Sequence, residues 1–354
     1  MTKAELDNRK ILPLEDSWYR RVKEKLDGIA KPLDGLGKFE HLIAQIGAIE
    51  KTTKISIQKK AVLVMCADNG VVEEQVSQSG KEVTLAVVKA MGVNNSSVGK
   101  MAAVAGVDVI PVDIGIDTDE VIPGVLPRKV AKGTKNFAKE PAMTEEEVLK
   151  AIETGIQLVQ QCHREGYEIL ATGEMGIGNT TTSTAVAAAL LDLEVEQVTG
   201  KGAGLTDEAL KRKCRVIEEA IEKYSLRDAD AFTILKTVGG LDIAGLTGVF
   251  IGAAIEQIPV IIDGVISAVA ALLAETLCKG AVNYMIPSHK SRELAETAIM
   301  KKLHLDPVLD ADMALGEGTG AVMMMSLLDV ALGVYLQGAS FANFEIEQYK
   351  RYEE

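Results

Sequence analysis

Residues 168–182 read Glu168-Ile169-Leu170-Ala171-Thr172-Gly173-Glu174-Met175-Gly176-Ile177-Gly178-Asn179-Thr180-Thr181-Thr182, and an Ala-rich stretch follows. A short apolar run, a glycine-rich turn and a cluster of Asn/Thr capping residues make a buried strand that feeds a helix N-terminus. The same unit recurs. Ala61–Cys66 ends in Ala67-Asp68-Asn69-Gly70, Val107–Val112 in Asp113-Ile114-Gly115, Pro259–Ile262 in Asp263-Gly264, and Ala281–Ile286 in Pro287-Ser288-His289. Helical spacing of apolar residues fills the gaps, roughly over 39–49, 82–105, 145–165, 180–191, 206–224, 241–257, 264–278 and 290–303. Strand, turn and helix in alternation predict an α/β fold on a parallel sheet, whose ligands bind at the carboxyl ends of the strands.

Composition agrees with such a sheet. The 354 residues are 47% hydrophobic and only 4% aromatic, with 32 glycines, which suits Ala- and Gly-packed helices better than an all-β sandwich. Lys+Arg number 38 against 51 Asp+Glu, a net charge of -13. That excess disfavours nucleic acid and anionic membranes as partners, while leaving room for a local basic pocket to hold one phosphate. Cys66, Cys162, Cys214 and Cys278 lie far apart, as do the four histidines. They predict reduced thiols in a cytoplasmic protein, with no metal site. The polar N-terminus lacks a signal-peptide core, and the apolar stretch 239–274 is interrupted by Asp242, Glu256 and Asp263, so no membrane span is expected there. Residues 113–144 form the one long irregular stretch, and such loops usually serve function or cover something.

Three glycine-rich segments carry candidate chemistry. At 173–182 the free N–H groups of a helix start favour an anion, although a well-capped tight turn explains the residues equally well. There is no Gly-Lys-Ser/Thr of a Walker loop. Gly200-Lys201-Gly202-Ala203-Gly204 leads through Thr206-Asp207 into a helix with Lys211, Arg212 and Lys213. It reads as a second phosphate loop or as a flexible loop before a solvated basic face. Leu315-Gly316-Glu317-Gly318-Thr319-Gly320-Ala321 displays one carboxylate among glycines. That is a candidate general base, or a first-turn Glu that complements a helix dipole. Asp68, Asp113, Asp242 and Asp263, placed at strand ends, read as caps or turn residues before metal ligands. Met323-Met324-Met325 reads as core filling.

The segments 173–181 and 315–321 together resemble the nicotinate-nucleotide–dimethylbenzimidazole phosphoribosyltransferase family. Further matches run in family order: Lys31-Pro32 with Leu36-Gly37, Ala67–Val71, Gly133–Asn136, Pro141–Thr144 and Ser288–Ser291. The resemblance implies a Rossmann-like parallel sheet of about six strands flanked by helices. It implies a large domain over 55–285 and a smaller helical one from 1–54 plus 286–354, which carries the catalytic Glu loop. It also implies transfer of ribose 5-phosphate from nicotinate mononucleotide to an aromatic lower-ligand base of the benzimidazole type, giving α-ribazole 5′-phosphate and nicotinate in cobalamin assembly, without cofactor or metal. A homodimer is expected, with a heterodimer with a paralogue as the alternative.

By the same resemblance Glu317 is the base that takes the acceptor's proton, and Glu174 stabilises positive charge on the ribose. Gly176, Ile177, Gly178, Asn179 and Thr180 hold the donor phosphate, with Gly202, Gly204 and Lys213 as further candidates. Ser79, Lys81, Glu82 and Leu315 are expected at the base pocket. The chain departs from the family pattern there. Ser79-Gly80-Lys81 replaces a common Tyr-Pro-Gln segment, Asn69 a His, Lys201 an Arg, Ala314 an Arg, and Ala295-Glu296 a Gly-His. These departures leave a purine or a phenol as alternative acceptors. Hydrolysis of the donor and a non-catalytic subunit of a heteromer stand as the other readings.

Overall fold

The computed structural model describes residues 1–202 and 204–351; Ala203 of the second glycine segment lies outside them. The chain opens with helices α1 (Lys3–Asp7), α2 (Asp16–Asp27) and α3 (Lys38–Ile49), then enters strand β1 (Lys60–Ala67). Helices α4 (Glu82–Gly92) and α5 (Ser97–Ala105) lead to β2 (Val107–Gly115) and the two-residue β3 (Leu126–Pro127). Helix α6 (Glu145–Arg164) precedes β4 (Ile169–Met175). Next come α7 (Asn179–Leu191), α8 (Val195–Val198), α9 (Asp207–Lys223), α10 (Ala231–Val238) and α11 (Leu241–Glu256). Then follow β5 (Val260–Ile262), α12 (Val265–Leu277), β6 (Met285–Pro287), α13 (Leu294–Leu303) and α14 (Thr319–Gln337).

The sheet is parallel throughout, in the order β3-β2-β1-β4-β5-β6. From β1 the chain steps outward to β2 and β3. From β4 it steps the other way to β5 and β6. The order therefore reverses between β1 and β4, and the crevice at their carboxyl ends is where an open α/β sheet takes a ligand. Strand side chains alternate between two buried faces. Ala61, Leu63 and Met65 join the core under α6, α7, α11 and α12. Val62, Val64 and Cys66 join the core with α3, α5 and α14. Burial on both faces is why the strands read as continuous apolar runs.

The expected fold class and five of its strands are present, with differences that have local causes. The helix expected over 82–105 is two helices. Asn94 takes a left-handed φ of 53°, and Ser96 caps α5 by accepting the Gly99 N–H at 3.2 Å. Residues 281–284 form a 3₁₀ turn, leaving only Met285–Pro287 as strand. The helix expected from 290 starts at Leu294, because His289–Lys290 pairs with Leu309–Asp310 in a separate two-stranded sheet. Asp242 is not at a strand end; it sits in the first turn of α11.

The chain ends are interleaved. α3 packs on α14, Tyr335 Oη donates to Thr53 O at 2.9 Å, and Ile29 bridges to Ser340. The Lys31–Gly37 turn wraps the buried carboxylate of Glu40, which takes Lys31 Nζ at 2.6 Å, Lys23 Nζ at 2.8 Å and the Leu36 N–H at 3.2 Å. Helix α14 has the length and apolar content of a bilayer span, but much of it is buried against the sheet and α5.

Candidate active site

The two Glu-bearing glycine segments touch. A methyl group on Gly173 would lie 2.6 Å from Glu317 O, and one on Gly318 would lie 3.1 Å from Thr172 O. Glycine at both places lets the end of β4 meet the loop before α14 backbone to backbone. Gly316, Glu317 and Gly318 all take positive φ, 79°, 62° and 89°. For Glu317 this is the left-handed region that side chains rarely adopt, a conformation that costs about 1–3 kcal/mol unless its surroundings hold it.

Two groups hold it. The buried carboxylate of Asp263, at the end of β5, accepts the Gly318 N–H at 3.2 Å and the Ala321 N–H at 3.0 Å. It thus caps α14, a helix remote in sequence. The Glu317 side chain accepts the Val98 N–H at the start of α5 at 2.9 Å, where the positive end of a helix favours a carboxylate.

Glu174 faces the same place from β4. Asn179 Nδ2 donates to Glu174 and, at 3.1 Å, to Asp242 Oδ2. Burial pushes the Glu174 carboxyl up to about 8, against the Asn179 hydrogen bond and with help from the charges of Asp242 and Asp263. Burial likewise pushes Asp242 up to about 6 and raises Asp263, the latter opposed by His289.

Glu174 and Glu317 line one cavity of about 280 Å³. Gly176, Ile177, Asn179, Thr180, Gly202 and Leu315 of the expected set also line it. Gly178, φ 94°, heads α7 and points towards Val72 and Asn69. The Ile177 N–H donates to Thr84 Oγ1 at 3.1 Å. Lys213 is not among the cavity's lining residues; it stands behind Thr180, which is. Its fully buried Nζ donates to Thr180 Oγ1 at 3.1 Å and Gly200 O at 3.2 Å, and it has no carboxylate ion-pair partner among the described residues. Burial lowers its pKa, and nearby Glu293 works the other way. A buried cation beside a glycine loop and a hydroxyl is equipped to bind a dianion.

Other expected residues sit elsewhere. Lys81 pairs with Asp117, and Lys81 and Glu82 line a separate cleft with Asp68 and Lys139. Ser79 is not among the lining residues of the Glu174–Glu317 cavity, and Gly204 O instead accepts from Gln78. Sequence reasoning missed Val87, Met175 and Glu293, all of which line the cavity, and the Val98 N–H. Glu293 Oε1 accepts the Gly202 N–H at 3.0 Å. Nothing in these ordinary residue types marks them; only the fold gathers them. Among the described residues one tight carboxylate cluster has metal-like spacing, Asp27, Asp34 and Glu40, and Lys23, Lys31 and Arg351 occupy it.

Comparison with known proteins adds to this geometry. A family model described as phosphoribosyltransferase matches residues 11–346. The chain is 45% identical over 329 residues to the nicotinate-nucleotide–dimethylbenzimidazole phosphoribosyltransferase of Acetivibrio thermocellus, covering 93% of this chain and 94% of the relative. It is 43% identical over 337 residues to the enzyme of the same name from Clostridium acetobutylicum, covering 95% and 96%. The crystal structure of CobT from Thermus thermophilus superposes with a TM-score of 0.89 at 34% identity, over 94% of this chain and all of that one.

Proposed function

We propose, from the premise that the chain belongs to the nicotinate-nucleotide–dimethylbenzimidazole phosphoribosyltransferase family, that it moves ribose 5-phosphate from nicotinate mononucleotide to a benzimidazole-type base, with Glu317 as the base and Glu174 as the second carboxylate. The observation that carries these roles is the convergence of Glu174 and Glu317 on one cavity, with the buried Lys213 hydrogen-bonded to Thr180 of its lining.

In this reading the donor phosphate rests on Thr180, Gly202 and Lys213, displacing Glu293 from the Gly202 N–H. Val87, Met175 and Leu315 give the acceptor ring an apolar wall. The acceptor nitrogen attacks C1′ as the C1′–N bond to the pyridinium breaks, and the bonding pair leaves with nicotinate. Nicotinate departs neutral at its ring nitrogen, so no acid is needed there. The acceptor's other N–H gives its proton to Glu317. Glu174, in its anionic form, faces the positive charge that builds on the ribose. Of the departures, Ser79–Lys81 lie outside the cavity lining, which supports retention of the benzimidazole-type acceptor, while Ala314 lies within it.

Cytoplasmic residence is part of the proposal, supported by four free thiols, three of them buried. So is a homodimer, supported by exposed apolar side chains along α14, among them Met323 and the 74% exposed Val330. A smaller helical unit drawn from both chain ends is supported by the contacts of Asp27, Ile29 and Thr53 with the 335–351 segment.

The test is incubation of the purified protein with nicotinate mononucleotide and a panel of benzimidazoles, purines and phenols. Base-dependent release of nicotinate is expected, strongest with benzimidazoles. Release without base would mean hydrolysis, and no release with any base overturns the reading. Glu317→Gln is expected to lower kcat by roughly 10²–10³-fold.

A further inference from the structure

Glu174 is held from two sides, and one of its supports has no surface in the cavity. The fully buried carboxylate of Asp242 sits in the first turn of α11. Its Oδ1 accepts the Ile243 N–H at 2.9 Å, and its Oδ2 accepts Asn179 Nδ2 at 3.1 Å. The second hydrogen of that same amide goes to Glu174. An amide flanked by two carboxylates can present only its NH₂ to them, so Asp242 fixes which way Asn179 faces. The Gly176 turn closes on this arrangement, since a methyl group there would lie 2.8 Å from Asp242 Oδ2.

We infer that Asp242 is a positioning residue for the transferase reaction, acting through Asn179 to hold the Glu174 carboxyl in its place beside the Glu317 loop. This rests on the role proposed for Glu174 above. A capping carboxylate of α11 alone would need no contact with Asn179, and Asp242 makes both.

The charges around Glu174 allow a second readout. Asp242 from α11 and Asp263 from β5 bring charges that bear on it, Glu317 of the loop before α14 shares its cavity and gives it a backbone hydrogen bond, and α7 brings the neutral Asn179. Burial is the main cause of its raised proton affinity, and the Asp242 charge adds to it.

Two variants separate position from charge. Asp242→Ala removes the acceptor that orients Asn179. It is expected to lower kcat by roughly 10–100-fold with the KM for nicotinate mononucleotide changed less than about threefold. In a Glu174→Gln background the same substitution is expected to cost less than about twofold, because the group it positions is already gone. Additive losses overturn the proposal. Asn179→Ala serves the same cycle with Asp242→Ala and gives the answer if the first double variant does not fold. Asp242→Asn keeps the shape and an acceptor while removing the charge. Infrared titration, assigned to Glu174 by difference from Glu174→Gln, is expected to show its carboxyl midpoint lowered in Asp242→Asn. An unmoved midpoint overturns the proposal whether or not the enzyme turns over. Loss of the functional reading shows separately, as full activity in Glu174→Gln or no nicotinate release by the unaltered protein.

Discussion

Glu174 and Lys213 are each buried, and each costs stability when it is charged. Glu174 has a folded-state value of about 8 against an ordinary 4.5, burial being the main cause. For a carboxyl raised in this way, stability is fully present below about pH 4.5 and is lost as pH rises through 8, because the unfolded chain gives up its proton first. At pH 7 the loss reaches up to about 3 kcal/mol, an upper figure for a buried group. Glu174→Gln should therefore be more stable than the unaltered protein at pH 7, with Tm higher by roughly 2–5 °C, and indistinguishable from it near pH 4.5. Calorimetry across that range checks the sign; a variant less stable at pH 7 sinks the argument. The same balance governs Lys213, whose Nζ finds a hydroxyl and a carbonyl but no ion pair among the described residues. Lys213→Met should leave stability equal or higher and raise the KM for nicotinate mononucleotide by roughly 10–100-fold, the signature of lost donor binding. An unchanged KM would remove Lys213 from the phosphate site.

At the scale of elements, the site is a meeting of two ends: the carboxyl end of β4 and the loop that opens α14. Gly173 is the contact point, and its extra methyl would meet the Glu317 carbonyl at 2.6 Å. Gly173→Ala should keep the fold at a cost of about 1–3 kcal/mol while moving the Glu317 loop, so kcat should fall by roughly 10²-fold. Steady-state kinetics and a melting curve on one preparation settle it; full kcat would mean that the contact has slack. The same contact explains what was legible in the sequence. Strands buried on both faces leave unbroken apolar runs, and glycines forced by close backbones stand out as Gly-x-Gly spacing, so β1, β4 and the segments at 173–178 and 316–320 could be read. Residues 281–284 are as apolar as a strand yet form a 3₁₀ turn, because periodicity cannot separate two short buried shapes. Asp263 was read as a cap or turn residue, but the helix that it caps lies more than fifty residues away. The Lys31–Gly37 match turned out to surround Glu40, a fixture of the N-terminal helices well apart from the cavity lining. Val87 and Glu293 carry no local mark at all.

At the scale of the molecule, α14 joins the site to an uncovered surface. Its first turn is fixed by Asp263 behind Glu317, and its buried side packs on the sheet, α3 and α5. Its outer side exposes Met323 and Val330, with the half-buried Leu327 between them, and Val104 of the adjacent α5 is 91% exposed. An apolar stripe on a helix whose other face is core is the mark of an association surface, since water contact along it is unfavourable in an isolated chain. A second copy of the chain is the occupant that the proposed homodimer supplies, and a two-fold contact would set the same stripe against itself. Sedimentation of the protein expressed alone should give twice the 37.8 kDa chain mass at micromolar concentration. Val330→Asp puts a charge at the middle of the stripe, exposed in the single chain and desolvated in the pair. It should sediment as a monomer with unchanged far-ultraviolet circular dichroism. An unaltered protein that is monomeric alone, and becomes dimeric only with a paralogous chain, would transfer the stripe to a heterodimer. A Val330→Asp variant that stays dimeric would place the contact on another face.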